Sequence, residues 1–176
     1  LNNHDVTRVV TRWQALMGGG GQVAPLLLAL LGSLRGSICL YQGEELGLTE
    51  AQVPFELLQD PYGKAMWPAF TGRDGCRTPM PWTTGSQMGF TTGEPWLPLA
   101  REHEGLSVEA QAGDPDSCLS FAREMIAMRK SMPALSVGEI AFAEVAAPLI
   151  AFVREHEDQA VACVFNLSGQ PQVFDH

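Results

Sequence analysis

The sequence has no cluster of lysine and arginine: 11 basic side chains stand against 20 acidic ones, a net charge of −9. Nothing in it could neutralise a run of phosphates, which argues against nucleic acid and against anionic membrane surfaces as partners. The acidic excess itself reads as a solvated surface. Cysteine is scarce and scattered. Cys39, Cys76, Cys118 and Cys163 form no Cys-x-x-Cys pair, and no histidine stands at metal-ligand spacing, so no metal site and no cofactor are expected. Isolated thiols of this kind are expected to be buried in a reducing, cytoplasmic compartment. A membrane-length apolar run is missing too. Residues 23–34 are strongly apolar but broken by Gly32 and followed by Arg35, whereas a bilayer span needs about 20 residues. The chain also begins without methionine and in mid-pattern, as expected for the later part of a longer protein.

What is present is a folded, globular composition, with 45% apolar and 18% charged residues. The opening stretch Asn2-Asn3-His4-Asp5-Val6-Thr7-Arg8 concentrates polar groups that are costly to bury unless each is paired. Val9 to Met17 is a short mixed segment, and Gly18 to Gly21 reads as a flexible turn. Gln22 to Leu34 predicts a helix that is apolar almost all round and buried on several sides, with Pro25 in its first turn and Gly36 as C-cap. Ser37-Ile38-Cys39-Leu40-Tyr41 predicts a strand buried on both faces, ending in the polar burst Gln42-Gly43-Glu44-Glu45. That is where α/β proteins place ligands.

Residues 49–105 contain no long periodic segment and carry many of the 18 glycines and 12 prolines. A loop this long inside a compact domain marks a functional excursion. Its arginines and aromatics suit a sugar or another polar ligand with apolar faces. Asp116 or Ser117 then caps an amphipathic helix that runs to Arg129-Lys130 and stops at Pro133. Short strands are predicted at Ile140–Val145, Leu149–Arg154, Ala160–Asn166 and Gln172–Phe174, an antiparallel texture that sets a boundary near residue 136.

Three motifs carry a resemblance. Asn3-His4-Asp5, Tyr41-Gln42-Gly43-Glu44-Glu45-Leu46-Gly47 and Arg73-Asp74-Gly75-Cys76-Arg77-Thr78-Pro79-Met80-Pro81-Trp82 resemble the α-amylase-type glycoside hydrolases. The third is most similar to the bacterial α-glucosidases and oligo-1,6-glucosidases. The resemblance implies an α/β fold, the C-terminal part of a (β/α)₈ TIM barrel, followed by a partial antiparallel β-sandwich. Residues 1–135 would hold the barrel part, from the end of strand seven to helix eight with the long active-site loop. Residues 136–176 would begin the C-terminal sandwich.

In that family, hydrolysis retains the anomeric configuration through an Asp nucleophile and a Glu acid/base about 5–5.5 Å apart. Both lie on earlier strands, outside this sequence. The resemblance makes Asp5 the family's third carboxylate, which stabilises the transition state through the 2- and 3-hydroxyls of the sugar being cleaved. His4 would donate to the same hydroxyls, and Arg73 would approach beside Asp5. Arg8 either reaches the substrate or pairs with a neighbouring carboxylate. Arg77, Thr78 and Trp82 would fix the long loop, Glu44 and Glu45 would support loops by hydrogen bonds, and His103 and His156 are expected to be solvated.

The implied function is that of a fragment of a retaining α-glucosidase acting on short α-linked gluco-oligosaccharides or sucrose, inactive by itself. Two alternatives stand beside it: a non-catalytic carbohydrate-binding or interaction module, and a transglycosylase or sucrose/trehalose isomerase within the family. The expected partner is a small oligosaccharide. Exposed barrel edges would also invite homo-oligomerisation.

Overall fold

The computed structural model describes residues 1–17 and 23–175; the glycine turn expected at Gly18 to Gly21 lies outside them. The described chain forms two compact units: residues 1–12 with 40–120, and residues 13–39 with 121–176. No helix among the described residues is long and apolar enough to cross a membrane.

The first unit is built largely from loops. Its helices are short: α1 (Val9–Gln14), which runs on into the second unit, α3 (Pro61–Met66) and α4 (Val108–Gln111). Single helical turns occur at Phe55–Leu57, Asp74–Cys76, Ser86–Gly89 and Arg101–His103. Prolines and glycines recur too often here for a longer periodic element to survive. One apolar cluster is formed by Leu46, Leu48, Met80 and Leu119 with Leu106 and Val108 against it. Buried polar groups also tie the segments together. Gln111 donates to the carbonyls of Leu46 and Leu106 at 3.0 and 3.2 Å and accepts from the Leu119 N–H at 3.0 Å, tying three segments together.

His103 belongs to the same class, which corrects the expectation of a solvated side chain. It is 0% exposed, and its Nε2 lies 2.9 Å from the Thr49 carbonyl. A carbonyl only accepts, so the proton sits on Nε2. Burial pushes the imidazole below its usual range, partly opposed by the Thr49 bond. Its charged sequence neighbours did not reveal this burial.

The second unit holds α2 (Val23–Ser33), most of α5 (Cys118–Ser131), α6 (Pro133–Ser136) and three strands. No residue of α2 is exposed, as its apolar periphery predicts. Its last carbonyls are taken by arginines. Arg129 donates to the Gly32, Leu34 and Gly36 carbonyls, and Arg154 to that of Ser33. Gly36 turns the chain away at φ +102°, a conformation that costs a β-carbon residue. At the start of α5 the Ser117 hydroxyl accepts from the Ser120 N–H at 3.2 Å, the capping bond of the second residue proposed for that role.

β1 (Glu139–Phe142), β2 (Leu149–His156) and β3 (Gln159–Asn166) form one antiparallel sheet in that order. Phe152 of β2, 1% exposed, is the centre of the core, with Phe142 at 5.3 Å and Phe165 at 5.9 Å between ring centroids. Leu30, Met125 and Leu135 complete it.

Two expected strands are not formed. Ser37 to Tyr41 is irregular rather than doubly buried: Ser37 and Cys39 are exposed, and none of the three strands pairs with it. A hydrophobic run becomes a strand only beside a ladder partner; here the Tyr41 N–H donates instead to Glu44 Oε2 at 2.7 Å. Gln172 to Phe174 likewise lies outside the sheet. The four thiols are free but not uniformly buried, since Cys39 is exposed and Cys118 half-buried.

Candidate functional site

The polar opening folds back on itself before it meets anything else. Asn3 Oδ1 accepts from the Asp5 N–H at 2.8 Å, a side-chain turn that presents the Asp5 carboxylate outward. Asn2 Oδ1 accepts from the Val9 N–H at 2.7 Å and so satisfies a free donor at the start of α1. Asp5 remains 48% exposed by side chain, and His4 Nε2 lies 3.3 Å from Asp5 Oδ2.

The other carboxylate oxygen is held from the long loop. Arg73 Nη1 and Arg77 Nη2 each donate to Asp5 Oδ1 at 3.0 Å, across 68 and 72 residues of sequence. Arg77 Nε also donates to the His4 carbonyl at 2.7 Å. The two arginines stand on either side of the single helical turn Asp74–Cys76, closed by the Arg77 N–H to the Asp74 carbonyl at 3.0 Å. From its two ends both guanidinium groups reach Asp5 Oδ1. Arg77 is thus a direct partner of Asp5 as well as a fixer of the loop.

Behind Arg73 lies a second carboxylate, Asp60, with its side chain fully buried. Asp60 Oδ2 accepts from Arg73 Nε at 2.9 Å and Oδ1 from Arg73 Nη2 at 3.0 Å, a two-pronged pair. The guanidinium hydrogen bonds hold the Asp60 carboxyl down to about 2, against the opposing effect of burial. Asp60 pushes the Arg73 guanidinium further up in turn. The Tyr62 ring lies 5.4 Å from the Arg73 guanidinium carbon. Tyr62, Trp67, Trp82 and Trp96 all expose more than 40% of their surface.

Arg8 is placed elsewhere. It is 1% exposed, its Nη1 and Nη2 donate to the Gln42 and Cys76 carbonyls at 2.9 and 3.0 Å, and its backbone N–H donates to Glu50 Oε2 at 2.8 Å. Among the described residues no carboxylate forms an ion pair with its guanidinium, which rests 5.3 Å from the Tyr41 ring centroid, and burial lowers it from its usual range, partly opposed by Glu50 and Glu45. Neither a free substrate ligand nor half of an ion pair, Arg8 braces the 41–47 turn against the 73–77 loop. Gly43, at φ +88°, is required beside it: a β-carbon there would stand 2.9 Å from Arg8 Nη1 and 2.5 Å from Leu48.

Glu44 and Glu45 have the supporting role expected of them. Glu44 accepts from the Tyr41 N–H and Glu45 Oε2 from the Gly43 N–H at 2.8 Å, while burial pushes the Glu44 carboxyl up. Thr78 is buried, at 1% exposure. Among the described residues no group of His, Cys, Asp and Glu is arranged to hold a metal ion. A cavity of about 420 Å³ in the same unit, lined in part by Thr83, Gln87, Arg101 and His103, includes none of the groups around Asp5.

A probable α-glucosidase of Rhizobium meliloti is 48% identical over 97% of this chain, and a probable oligo-1,6-glucosidase of Bacillus subtilis is 32% identical over 98%. Among solved structures, the α-glucosyl transfer enzyme XgtA superposes with a TM-score of 0.90 at 56% identity over 95% of the chain. The trehalulose synthase MutB of Pseudomonas mesoacidophila does so with 0.84 at 27% over the same share. The chain spans about a third of these proteins, 31% and 34% of the two relatives and the same shares of the two structures. The family profile described as alpha amylase, catalytic domain, matches residues 1–138. By motif, geometry and similarity together, this chain belongs to the α-amylase family.

Proposed function

We propose that the chain supplies the Asp5 side of the sugar-binding subsite in a longer retaining α-glucosidase acting on short α-linked gluco-oligosaccharides or sucrose. The observation that carries this is the division of labour at one carboxylate. Two arginines occupy Asp5 Oδ1 at 3.0 Å each, while Oδ2 keeps only the neighbouring His4 and the side chain stays half exposed. Such a group is oriented and charged yet open to a ligand, as a hydroxyl acceptor at a sugar subsite must be. Hydrogen bonds from vicinal hydroxyls tighten as the sugar ring flattens toward an oxocarbenium ion, so Asp5 acts by binding the transition state more strongly than the substrate.

In this reading residues 1–135 are the C-terminal part of the (β/α)₈ barrel and residues 136–176 begin the sandwich domain, supported by the catalytic-domain match ending at residue 138. The nucleophile and acid/base belong to the remainder of the parent enzyme, whose setting is cytoplasmic. His4 and Arg73 contact or border the sugar, and Arg8 positions the loops from behind.

The test is Asp5→Asn in the full-length enzyme, which keeps size and removes charge. It lowers kcat by about 10²-fold or more with an aryl α-glucoside, the scale of one lost electrostatic stabiliser; an unchanged kcat refutes the role. The similarity to an α-glucosyl transfer enzyme and to a trehalulose synthase favours a second reading, glucosyl transfer or isomerisation on the same site. Product analysis with sucrose separates the two: free glucose marks hydrolysis, new disaccharides mark transfer.

A further inference from the structure

We propose that Asp60 is a positioning residue of this site, setting the Arg73 guanidinium so that Nη1 meets Asp5; the inference rests on the subsite reading of Asp5 and Arg73. An arginine guanidinium offers five N–H donors in a fixed plane, so holding two of its nitrogens fixes the direction of the third. Here Nε and Nη2 are both held by Asp60, and Nη1 is the nitrogen that faces Asp5. The same carboxylate also accepts from the Arg73 backbone N–H at 2.8 Å, so it fixes the base of the side chain as well as its tip.

Asp60 is itself fixed from several directions. It opens α3, accepting from the Tyr62 N–H at 3.2 Å with Pro61 in the first helical position. Its own N–H and that of Gln59 donate to Asp74 Oδ2 at 2.8 and 2.6 Å. Asp74 follows Arg73 directly in sequence, so the two segments are clamped reciprocally: the Asp60 side chain takes Arg73, and the Asp74 side chain takes the Asp60 backbone. Gly63 and Gly72 let the segments close, since a β-carbon at Gly72 would stand 2.9 Å from the Gly63 Cα and 3.1 Å from Asp60 Oδ2. A carboxylate with no exposed side-chain surface is stable there only while paired, which makes the fork obligatory rather than one rotamer among many.

A purely structural Asp60 would change stability alone; a positioning Asp60 changes kinetics through Arg73. The experiment is a double-mutant cycle on the full-length enzyme, with kcat and KM measured on an aryl α-glucoside and rates normalised to folded protein. Asp60→Asn keeps an acceptor for the Tyr62 N–H but loses the charged fork, and is expected to lower kcat/KM by about 10- to 100-fold, as misplacement on the ångström scale does. In an Arg73→Ala background the same substitution is expected to have no further effect.

Should Asp60→Asn fail to fold, Arg73→Lys keeps a cation but cannot fork Asp60 while reaching Asp5, and is expected to show the same loss. Full activity of Asp60→Asn or of Arg73→Lys, or a loss that multiplies undiminished onto Arg73→Ala, overturns the positioning role while Asp5→Asn and Arg73→Ala remain impaired. Wild-type kinetics for both Asp5→Asn and Arg73→Ala overturn the subsite reading itself, and the role of Asp60 with it.

Discussion

At the scale of single residues, the site is a relay of charges that become progressively less exposed: Asp5 half open, the Arg73 side chain 29% exposed, and Asp60 fully covered. The relay has a consequence for stability. The Asp60 carboxyl sits at about 2 in the folded chain against an ordinary 3.8. A folded-state value held below the unfolded one contributes stability that is fully present above about pH 4 and is lost as pH falls toward 2. The displacement corresponds to about 2 kcal/mol at neutral pH. Urea unfolding at pH 6 and at pH 2.5 should show that Asp60→Asn narrows the difference between the two by about this amount. An equal acid loss in wild type and variant would mean that the Arg73 pair adds nothing.

Among secondary-structure elements, α3 and the 71–77 loop act as one part because two glycines face each other. Gly63 is buried inside α3, and a β-carbon on it would lie 2.7 Å from the Thr71 carbonyl oxygen and 3.0 Å from the Gly72 Cα. Both neighbours are main chain and cannot rotate aside. Gly63→Ala, elsewhere a mild gain for a helix, is therefore expected to cost about 1–3 kcal/mol by overpacking. It should also lower kcat/KM by moving Arg73 off Asp5. Differential scanning calorimetry and steady-state kinetics on one preparation check both effects. A melting temperature at or above wild type would refute the close approach.

On the scale of the whole molecule, each of the two compact units has its own buried groups. The unit carrying the site buries Arg8, Asp60, Asp74, His103 and Gln111 beside its apolar side chains. The other has a conventional core around Phe152. Polar networks specify geometry well but tolerate little disturbance. With nucleophile and acid/base assigned to the rest of the parent enzyme, the 176-residue polypeptide by itself is expected to give no turnover of an aryl α-glucoside. Turnover near the ordinary enzyme range of about 1–10³ per second would refute that assignment.

The sequence by itself determined the local elements and the order of the motifs. A 3.6-residue period, an N-capping Ser117 and alternating strands separated by turns act within a few residues, so α2, α5 and the β2–β3 hairpin could be read directly. The family motifs also pointed to Asp5 and Arg73. Only the tertiary structure decided which charges meet. Asp60 drew no reading of its own, Arg77 looked like a fixer of the loop and His103 like a surface group, because nothing local records a partner tens of residues away. It also decided that Ser37 to Tyr41 is no strand, since a ladder needs a second chain segment beside it. Arg8 shows the difference most clearly. Its sequence neighbours placed it three residues from Asp5, while burial turned its guanidinium onto backbone carbonyls, where an arginine serves the shape of a site rather than its ligand.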